Sequence, residues 1–407
     1  MLKKSDINRI KRVGKRILKE RCISLAKRFF AEKSIVKNVF NSDFERYVLV
    51  SGFPEFLISS SPTIPKWHSI FTENYIILKI FHELGFQVDC IDGKSEEKIE
   101  FGKYEVVMVG MPLLSQIWTV NPDVISLYYT LGCHPFFAAK YSTDRLREKE
   151  KCYISSIRYF NVTNLHLIFT THVIVLGNQF TLNTYLAQDP QKERYSNLPA
   201  FFFNAQEADL KHKEYKNAQK NFLWFGGTGL VHKGLDICID IFLQREDINL
   251  HICGAPRKEK EFWDYYDPLI KGRNNIVIHG FVDIESKEFK KILSQCGFAI
   301  YPSVSEGGAV ALLNVVGNGG LIPIYSKSTG VDFEEFGIEV PEVKIELFEN
   351  AIESALTFTE EEMKRRSLKG YNEVRENYTI EKYEENLKNI IIGVLESKKN
   401  IITLSSN

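Results

Sequence analysis

The amino-acid sequence predicts an α/β fold of two similar halves, each built around a parallel sheet. From Arg46 onward, short apolar runs typical of buried strands alternate with helical patterns. Residues 204–220 form a polar run with neither a strand pattern nor a strong apolar face, and the alternation starts again at Phe222. Strands that alternate with helices indicate βαβ units. Two such Rossmann-like halves, facing each other across a cleft, would bind a ligand beyond the carboxyl ends of their strands.

The first half opens with a buried strand over Tyr47–Val50, followed by a helix over Ser69–Leu84 that stops before Gly85. Its other strand candidates are Phe86–Ile91, Tyr104–Val109, Val124–Tyr129 and Leu165–Leu176. The second half repeats the pattern, with helices beginning at Gly234 and Ala309. Its strand candidates are Phe222–Phe225, Leu250–Cys253, Ile276–Ile278, Phe298–Tyr301 and Leu321–Ile324.

Composition excludes several classes of protein. The 407 residues are 44% hydrophobic, 13% aromatic and 26% charged, which excludes a disordered or collagen-like chain. Seven scattered cysteines without a Cys-x-x-Cys pair favour a reducing compartment and argue against a zinc cage or a disulfide framework. No apolar stretch reaches the roughly 18 residues of a membrane span, and the N-terminus lacks the apolar core of a signal peptide. We therefore expect a cytoplasmic protein.

Residues 1–38 are strongly basic, although the whole chain has no net charge. They contain 13 Lys or Arg and three Asp or Glu, and apolar residues recur between Ile10 and Phe29 at spacings of three and four. This pattern predicts an amphipathic basic helix, which either lies on an anionic membrane surface or packs against the protein as a solvated helix. Nucleic acid is not expected as a partner, because few aromatic residues lie among the basic ones.

A glycine cluster with a lysine follows the first strand of the second half. The strand leads into Gly226-Gly-Thr-Gly229, and Lys233 immediately precedes the helix that begins at Gly234. Glycines let a backbone approach a ligand, amides at a helix N-terminus favour an anion, and a lysine adds a positive charge for phosphate. A tight structural turn is the alternative. An NAD site is disfavoured, because the second strand ends in Cys253-Gly254 instead of an acidic residue.

A second turn, with an acidic residue, follows the strand Phe298–Tyr301. Its sequence, Tyr301-Pro-Ser-Val-Ser-Glu-Gly-Gly308, places Glu306 directly before an apolar helix. The first amides of that helix would form a second anion-binding site, and Glu306 can accept hydrogen bonds from sugar hydroxyls. Asn314 lies about two helical turns further on, on the same predicted face. The alternatives are a helix-dipole partner for Glu306 and a helix-surface amide for Asn314.

On these motifs, the segment from Phe222 to Val340 resembles the donor-binding domain of family 4 retaining glycosyltransferases, the glycosyl transferases group 1, which have the GT-B fold. The matching motifs are F-G-G-T-G-L-V-H-K-G (225–234), I-C-G (252–254), H-G-F-V (279–282), Y-P-S-V-S-E-G-G (301–308) and the Gly320–Pro323 turn. A looser similarity covers HSIFTENYIILKIFHELGFQVDCID and YYTLGCHP in the first half and EVRENYTIEKYEENLKNII near the end.

The resemblance implies a division of the chain into four segments. They are an extra basic N-terminal extension (1–46), an acceptor domain (47–210), a donor-binding domain (211–378), and a C-terminal helix with tail (379–407). The C-terminal helix is expected to return toward the first domain.

The resemblance also implies roles for the matching residues. Lys233 would neutralise the donor pyrophosphate, Glu306 would bind the transferred sugar, and His134 of the G-C-H-P motif would approach that sugar as the third catalytic residue. The expected donor-binding residues are Gly226, Gly227, Thr228, Lys233, Gly254, Phe281, Glu306, Gly307, Gly308, Ala309, Val310 and Asn314. Amides of residues 307–310 would hold phosphate, and the backbone near Phe281 would contact the base. No metal ligand is expected, since the chain contains no Asp-x-Asp motif.

Three positions depart from the family's pattern. Thr228 replaces an arginine five positions before the lysine, and Asn314 replaces the second glutamate of the E-x7-E motif. In the first half, Lys66-Trp-His68 stands where a glycine pair is usual. The first change removes one cation from the leaving diphosphate. An amide at Asn314 can still bond ribose hydroxyls, more weakly than a carboxylate would.

The resemblance implies retaining transfer of a sugar from a UDP or GDP sugar to a hydroxyl acceptor, without a further cofactor. The acceptor would be a glycan or a lipid-linked molecule of bacterial surface polysaccharide or glycolipid assembly, which suits a cytoplasmic enzyme on the inner face of the membrane. Two alternatives remain: a nucleoside diphosphate sugar epimerase of similar architecture, and a non-catalytic glycosyltransferase-like subunit, which Thr228 and Asn314 favour.

Overall fold

The computed structural model describes most of the chain, as two compact units. The described residues are 35–57, 64–66, 68–93, 95, 99–111, 113–148, 165–189 and 191–405. Among them, unit 1 runs as far as Tyr128 and includes Ile168–Thr171, and unit 2 contains the other described residues from Tyr129 onward. The predicted basic helix between Ile10 and Phe29 lies outside the described residues. In the described part of the chain, no helix is both long and apolar enough to cross a membrane. The predicted domain boundaries stay a prediction.

In the part of the chain that the structure describes, the first sheet has seven strands. They are β1 (Ile35–Val36), β2 (Arg46–Ser51), β3 (Phe86–Ile91), β4 (Tyr104–Met108), β5 (Ile125–Thr130), β6 (His172–Leu176) and β7 (Tyr195–Leu198). Their order is β1-β3-β2-β4-β5-β6-β7, and β1 pairs with β3 in the antiparallel direction. The predicted strands over 47–50, 86–91, 104–109 and 124–129 are confirmed. The strand predicted over Leu165–Leu176 is wrong in its first part, because Leu165–Ile168 is a short helix.

The second sheet lies entirely in unit 2, where the described residues supply six strands. They are β8 (Asn221–Phe225), β9 (Asn249–Cys253), β10 (Ile276–Gly280), β11 (Phe298–Tyr301), β12 (Ile322–Ser326) and β13 (Ile338–Val340). All neighbours are parallel, in the order β10-β9-β8-β11-β12-β13. The strands β11 and β12 are buried along their whole length, as continuous apolar runs in parallel sheets are. The strand order reverses between β8 and β11, which in doubly wound sheets is where ligands bind.

Helices connect and follow the strands. They span Ser69–Glu83, Leu113–Val120, Pro135–Glu148, Leu165–Ile168, Gln179–Leu186, Tyr215–Ala218, Leu235–Leu243, Lys260–Ile270, Lys287–Gln295, Val310–Gly319, Ile345–Leu356, Glu360–Asn377 and Ile380–Ser405. The predicted helix starts are confirmed, with Gly234 and Ala309 as the N-cap residues of their helices. Both predicted α/β halves are therefore present.

The polar run 204–220 is tied to the helix Val310–Gly319 within unit 2. Asn318 accepts hydrogen bonds from the amides of Ala205 (2.9 Å) and Gln206 (2.8 Å). The buried Lys213 Nζ donates to Gly319 O at 3.0 Å, at the helix C-terminus, where a positive charge is favourable. Burial lowers the pKa of Lys213 to about 8. The run is thus a packed segment, although its composition resembles that of a spacer.

Candidate functional site

The candidate site lies in unit 2, at the edge of the second sheet where the strand order reverses. Lys233 follows β8 and Glu306 follows β11, and these two parallel strands are neighbours. Lys233 Nζ forms an ion pair with Glu306 Oε1 and donates to the Tyr301 hydroxyl at 3.1 Å. Only 13% of the Lys233 side chain and 15% of the Glu306 side chain are exposed. The two motifs identified in the sequence therefore bring their charged residues into direct contact.

The residues around Lys233 form a turn, here called the Lys233 turn (residues 229–236). The Lys233 amide donates to Gly229 O at 2.8 Å, and the indole of Trp224 donates to Lys233 O at 3.0 Å. Gly234 ends the non-helical part of the turn, and the helix Leu235–Leu243 follows. The indole bond attaches the turn to the buried side chain of β8.

The residues around Glu306 form a second turn, the Glu306 turn (residues 302–309). The hydroxyl of Ser303 lies 3.2 Å from Glu306 Oε1, and the Glu306 amide donates to Ser328 O at 3.0 Å. His232 joins the two turns, because its Nε2 lies 2.6 Å from Ser305 O and its carbonyl accepts from the Val304 amide at 2.9 Å. Sequence reasoning did not select His232 or Ser303, although both lie within the quoted motifs.

The Glu306 turn packs closely against neighbouring backbone and leads into a helix. A Cβ atom at Gly307 would lie 2.7 Å from Leu131 C, so this position requires glycine. Ala309 is left-handed (φ 37°), a strained conformation for a residue with a side chain, and such strain concentrates at functional sites. The helix Val310–Gly319 starts at the next residue. Its first amides lack carbonyl partners within the helix, as at any helix N-terminus, and their contact with a phosphate stays a prediction.

Glycines end three neighbouring strands at the same edge of the sheet. Gly226, Gly254 and Gly280 come after or at the ends of β8, β9 and β10, and the Gly254 amide donates to Gly280 O at 2.7 Å. Gly227 and Thr228 are exposed, and a Cβ at Gly227 would meet no atom within 4 Å. Phe281, expected near the base of the donor, is 57% exposed. Gly226, Gly227, Thr228, Gly254 and Phe281 thus follow strand ends at the same edge of the sheet as Lys233 and Glu306, and their contact with a donor stays a prediction.

His134 directly precedes the helix Pro135–Glu148 and is almost fully buried, with 1% exposure. Its amide donates to Thr184 Oγ1 at 2.8 Å, and its ring packs edge-on against Tyr185 with 5.1 Å between ring centroids. The adjacent Cys133 amide donates to Ser305 Oγ at 3.0 Å, which attaches this segment to the Glu306 turn. Burial raises the pKa of the Cys133 thiol to about 12. Contact of His134 with the transferred sugar stays a prediction.

Asn314 is buried within the helix that follows the Glu306 turn. Its Oδ1 accepts a hydrogen bond from the Phe203 amide at 2.8 Å. The interpretation of Asn314 as a helix-surface amide is therefore wrong, because this amide bonds a buried backbone group. Its contact with a donor ribose stays a prediction.

Comparison with known proteins rests on structure, since no protein-family model and no curated protein matches the sequence. HepE (Alr3699) of Anabaena, solved with UDP and glucose, aligns with a TM-score of 0.58 at 11% identity, over 86% of this chain and 100% of that one. A glycosyltransferase from Rickettsia africae ESF-5 aligns with a TM-score of 0.54 at 11% identity, over 86% and 99%. The lipopolysaccharide outer core galactosyltransferase WaaB, in its apo form, gives 0.51 at 10% identity, also over 86% and 99%. At these identities the comparisons establish the fold: the chain has two Rossmann-like halves like those of GT-B glycosyltransferases.

Proposed function

We propose that this protein is a retaining glycosyltransferase of family 4 type, which moves a sugar from a nucleoside diphosphate sugar to a hydroxyl acceptor. The observation that carries the proposal is the contact between Lys233 and Glu306 where the strand order of the second sheet reverses. An ammonium group, a carboxylate and the first amides of a helix suit a ligand that joins a diphosphate to a sugar.

The proposed reaction depends on charge that develops at the leaving group. Departure of the nucleotide leaves negative charge on its β-phosphate, which the Lys233 ammonium and the amides of residues 307–310 would stabilise. Glu306 would accept hydrogen bonds from the sugar hydroxyls and so orient the ring. Because these groups neutralise the diphosphate themselves, we expect turnover to persist in EDTA.

The structural neighbours suggest which donor to test first. HepE was solved with UDP and glucose and also with UDP-glucose, so UDP-glucose is the first candidate and a GDP sugar the second. WaaB is a lipopolysaccharide outer core galactosyltransferase, which supports a role in surface polysaccharide or glycolipid assembly. We place the protein in the cytoplasm, with residues 1–38 on an anionic membrane. If the full chain and a variant without residues 1–38 float equally with anionic vesicles, the membrane part of this proposal is wrong.

Calorimetric titration with UDP, GDP and UDP-glucose tests the site. We expect Lys233→Ala to weaken binding of both UDP and UDP-glucose at least tenfold, since the phosphate loses its cation. Glu306→Ala should weaken UDP-glucose relative to UDP, since only the sugar contact is lost. Lys271→Ala is the matched control, because Lys271 is exposed at the end of another helix. Equal affinities for the wild type and both site variants would remove the assignment.

A non-catalytic glycosyltransferase-like subunit is the second candidate. It is favoured by Asn314, which bonds the Phe203 amide, and by Thr228, which supplies no charge to the exposed glycine cluster. Hydrolysis assays across a set of UDP and GDP sugars distinguish the two candidates. Turnover of any donor supports the enzyme, whereas binding of a donor without turnover, together with stable association with another transferase, supports the subunit.

A further inference from the structure

The orientation of Lys233 depends on the residues that hold its turn. Inside the Lys233 turn, the amide of Gly234 donates to Val231 O at 3.0 Å and that of Leu235 to Leu230 O at 2.9 Å. Together with the bond from Lys233 to Gly229, these contacts give the turn its shape. They join residues of the same turn, so they do not fix how the turn is oriented on the sheet.

Glu259 holds the first part of the Lys233 turn. Its Oε1 accepts from the Gly229 amide at 2.7 Å and its Oε2 from the Leu230 amide at 3.0 Å. Glu259 lies at the N-cap of the helix Lys260–Ile270, about 30 residues along the chain from these amides. Hydrogen bonds to an ionised carboxylate are roughly twice as strong as neutral ones. The carboxylate thus fastens two consecutive amides of the turn that carries Lys233.

Arg145 holds the last part of the same turn. Its guanidinium donates to Val231 O at 2.5 Å and to the two carboxylate oxygens of Asp236 at 2.5 and 2.6 Å. The Arg145 side chain is 7% exposed and that of Asp236 is fully buried. The planar guanidinium bonds Val231 through Nη1 and Asp236 through Nη2, and these two partners fix its orientation.

The helix that carries Arg145 also reaches the Glu306 turn. This helix, Pro135–Glu148, begins directly after His134, and the preceding Cys133 amide bonds Ser305 Oγ at 3.0 Å. One end of the helix is therefore attached to the Glu306 turn and the other, through Arg145, to the Lys233 turn. The turns that carry Lys233 and Glu306 are thus both attached to this one helix.

We infer that Arg145 and Glu259 are positioning residues, which orient the Lys233 turn so that the Lys233 ammonium meets the donor diphosphate. The inference rests on the proposed function, and it assigns these two side chains an effect on donor affinity that is exerted through Lys233 alone. A merely structural role would lower the stability of the fold and leave the contribution of Lys233 to binding unchanged.

A double-mutant cycle on the full chain tests the inference. Binding of UDP is measured by calorimetry for the wild type, Glu259→Ala, Lys233→Ala and the variant with both changes, and urea unfolding is measured in parallel. We expect Glu259→Ala to weaken UDP binding about tenfold in the wild-type background and to have little further effect once Lys233 is alanine. Glu259→Gln should recover part of the loss, because its amide oxygen can accept one of the two bonds. Asp264→Asn, an exposed carboxylate on the same helix, is the matched control.

Arg145 needs a variant that avoids a buried unpaired charge. Removing one partner of a buried ion pair typically costs about 3–5 kcal/mol, whereas replacing both partners with apolar residues is often neutral. The paired change Arg145→Met with Asp236→Leu is therefore expected to fold and to lose UDP affinity to a similar degree.

The outcomes separate this inference from the proposed function. A wild type that binds neither UDP nor GDP would overturn both. A wild type that binds UDP, with unchanged affinity in Glu259→Ala and in the Arg145/Asp236 pair, would overturn the positioning role alone. The positioning role would also be overturned if the losses of UDP affinity from Glu259→Ala and Lys233→Ala were additive in the double variant. An effect exerted through Lys233 should disappear once Lys233 is alanine.

Discussion

The Lys233 ammonium lies against the Glu306 carboxylate, and most of each side chain is shielded from solvent. A phosphate that approaches Lys233 meets the negative charge of Glu306 at short range. In the proposed site, the carboxylate would therefore help to hold the sugar of a nucleotide sugar and oppose its diphosphate.

Replacing Glu306 with glutamine separates these effects. We expect Glu306→Gln to bind UDP at least fivefold more tightly, because a charge repulsion at about 4 Å is worth about 1 kcal/mol even in water and more where the groups are shielded from solvent. Turnover should fall at the same time, because the sugar loses a charged acceptor. Calorimetry with UDP and a transfer assay measure the two changes, and weaker UDP binding would contradict the prediction.

Asn314 contributes to stability through its bond with the Phe203 amide. Its replacement by alanine leaves a buried N–H without an acceptor, which typically costs about 1–3 kcal/mol. We expect Asn314→Ala to lower the urea midpoint accordingly. Asn183→Ala should change it little, because the Asn183 side chain bonds only the exposed Gln179 side chain of the same helix. Equal midpoints for the two variants would show that the Phe203 bond is not important.

Some residues of the candidate site could be predicted from the sequence and others could not. Lys233 and Glu306 could be predicted because each lies in a local pattern of a strand, glycines and a helix start. Arg145 and Glu259 could not, because their importance comes from partners roughly 90 and 30 positions away along the chain, which only the folded backbone brings together.

The strand ends of the second sheet pack so tightly that glycine is required at one of them. A Cβ at Gly254 would lie 1.9 Å from Gly226 O, and Gly254 has a φ of 91°. We expect Gly254→Ala to destabilise the protein by about 3 kcal/mol. Gly227→Ala, where a Cβ meets open space, is the control and should be nearly neutral. Thermal unfolding compares them, and similar melting temperatures would contradict the packing argument.

At the level of elements, long apolar runs were easier to predict than short ones. The central strands of both sheets were predictable because parallel strands covered on both faces are continuously apolar. The two or three residues of β1 and β13 are too short to form a recognisable pattern. In Leu165–Ile168 an apolar run fits a helix as well as a strand, and periodicity cannot separate the two in four residues.

For the whole molecule, we expect half-buried histidines to make stability depend on pH. Burial lowers the pKa values of His172 and His251 to about 4, and that of His279 is also lowered. His251 Nδ1 lies 3.0 Å from His279 Nε2, so this pair shares a hydrogen bond that requires a neutral ring. The unfolded chain takes up these protons near pH 6.5, before the folded protein does.

We therefore expect stability to fall between about pH 6.5 and pH 4, by at most about 1.4 kcal/mol per pH unit for each histidine. Carboxylates with a lowered pKa, such as Asp189, add their loss only at lower pH. Urea unfolding at pH 7, 5.5 and 4.5 measures the slope. His251→Asn should show a shallower fall than the wild type, and an identical slope would contradict the assignment.

The polar run 204–220 has a practical consequence for protein engineering. Its composition invites the insertion of a tag or a fluorescent label, yet Asn318 and Lys213 fasten it to the helix whose opposite end carries the proposed phosphate-binding amides. An insertion in this run would disturb the C-terminal end of that helix. Gly272 is the safer point of attachment, because it is exposed and an added Cβ would meet no atom within 4 Å.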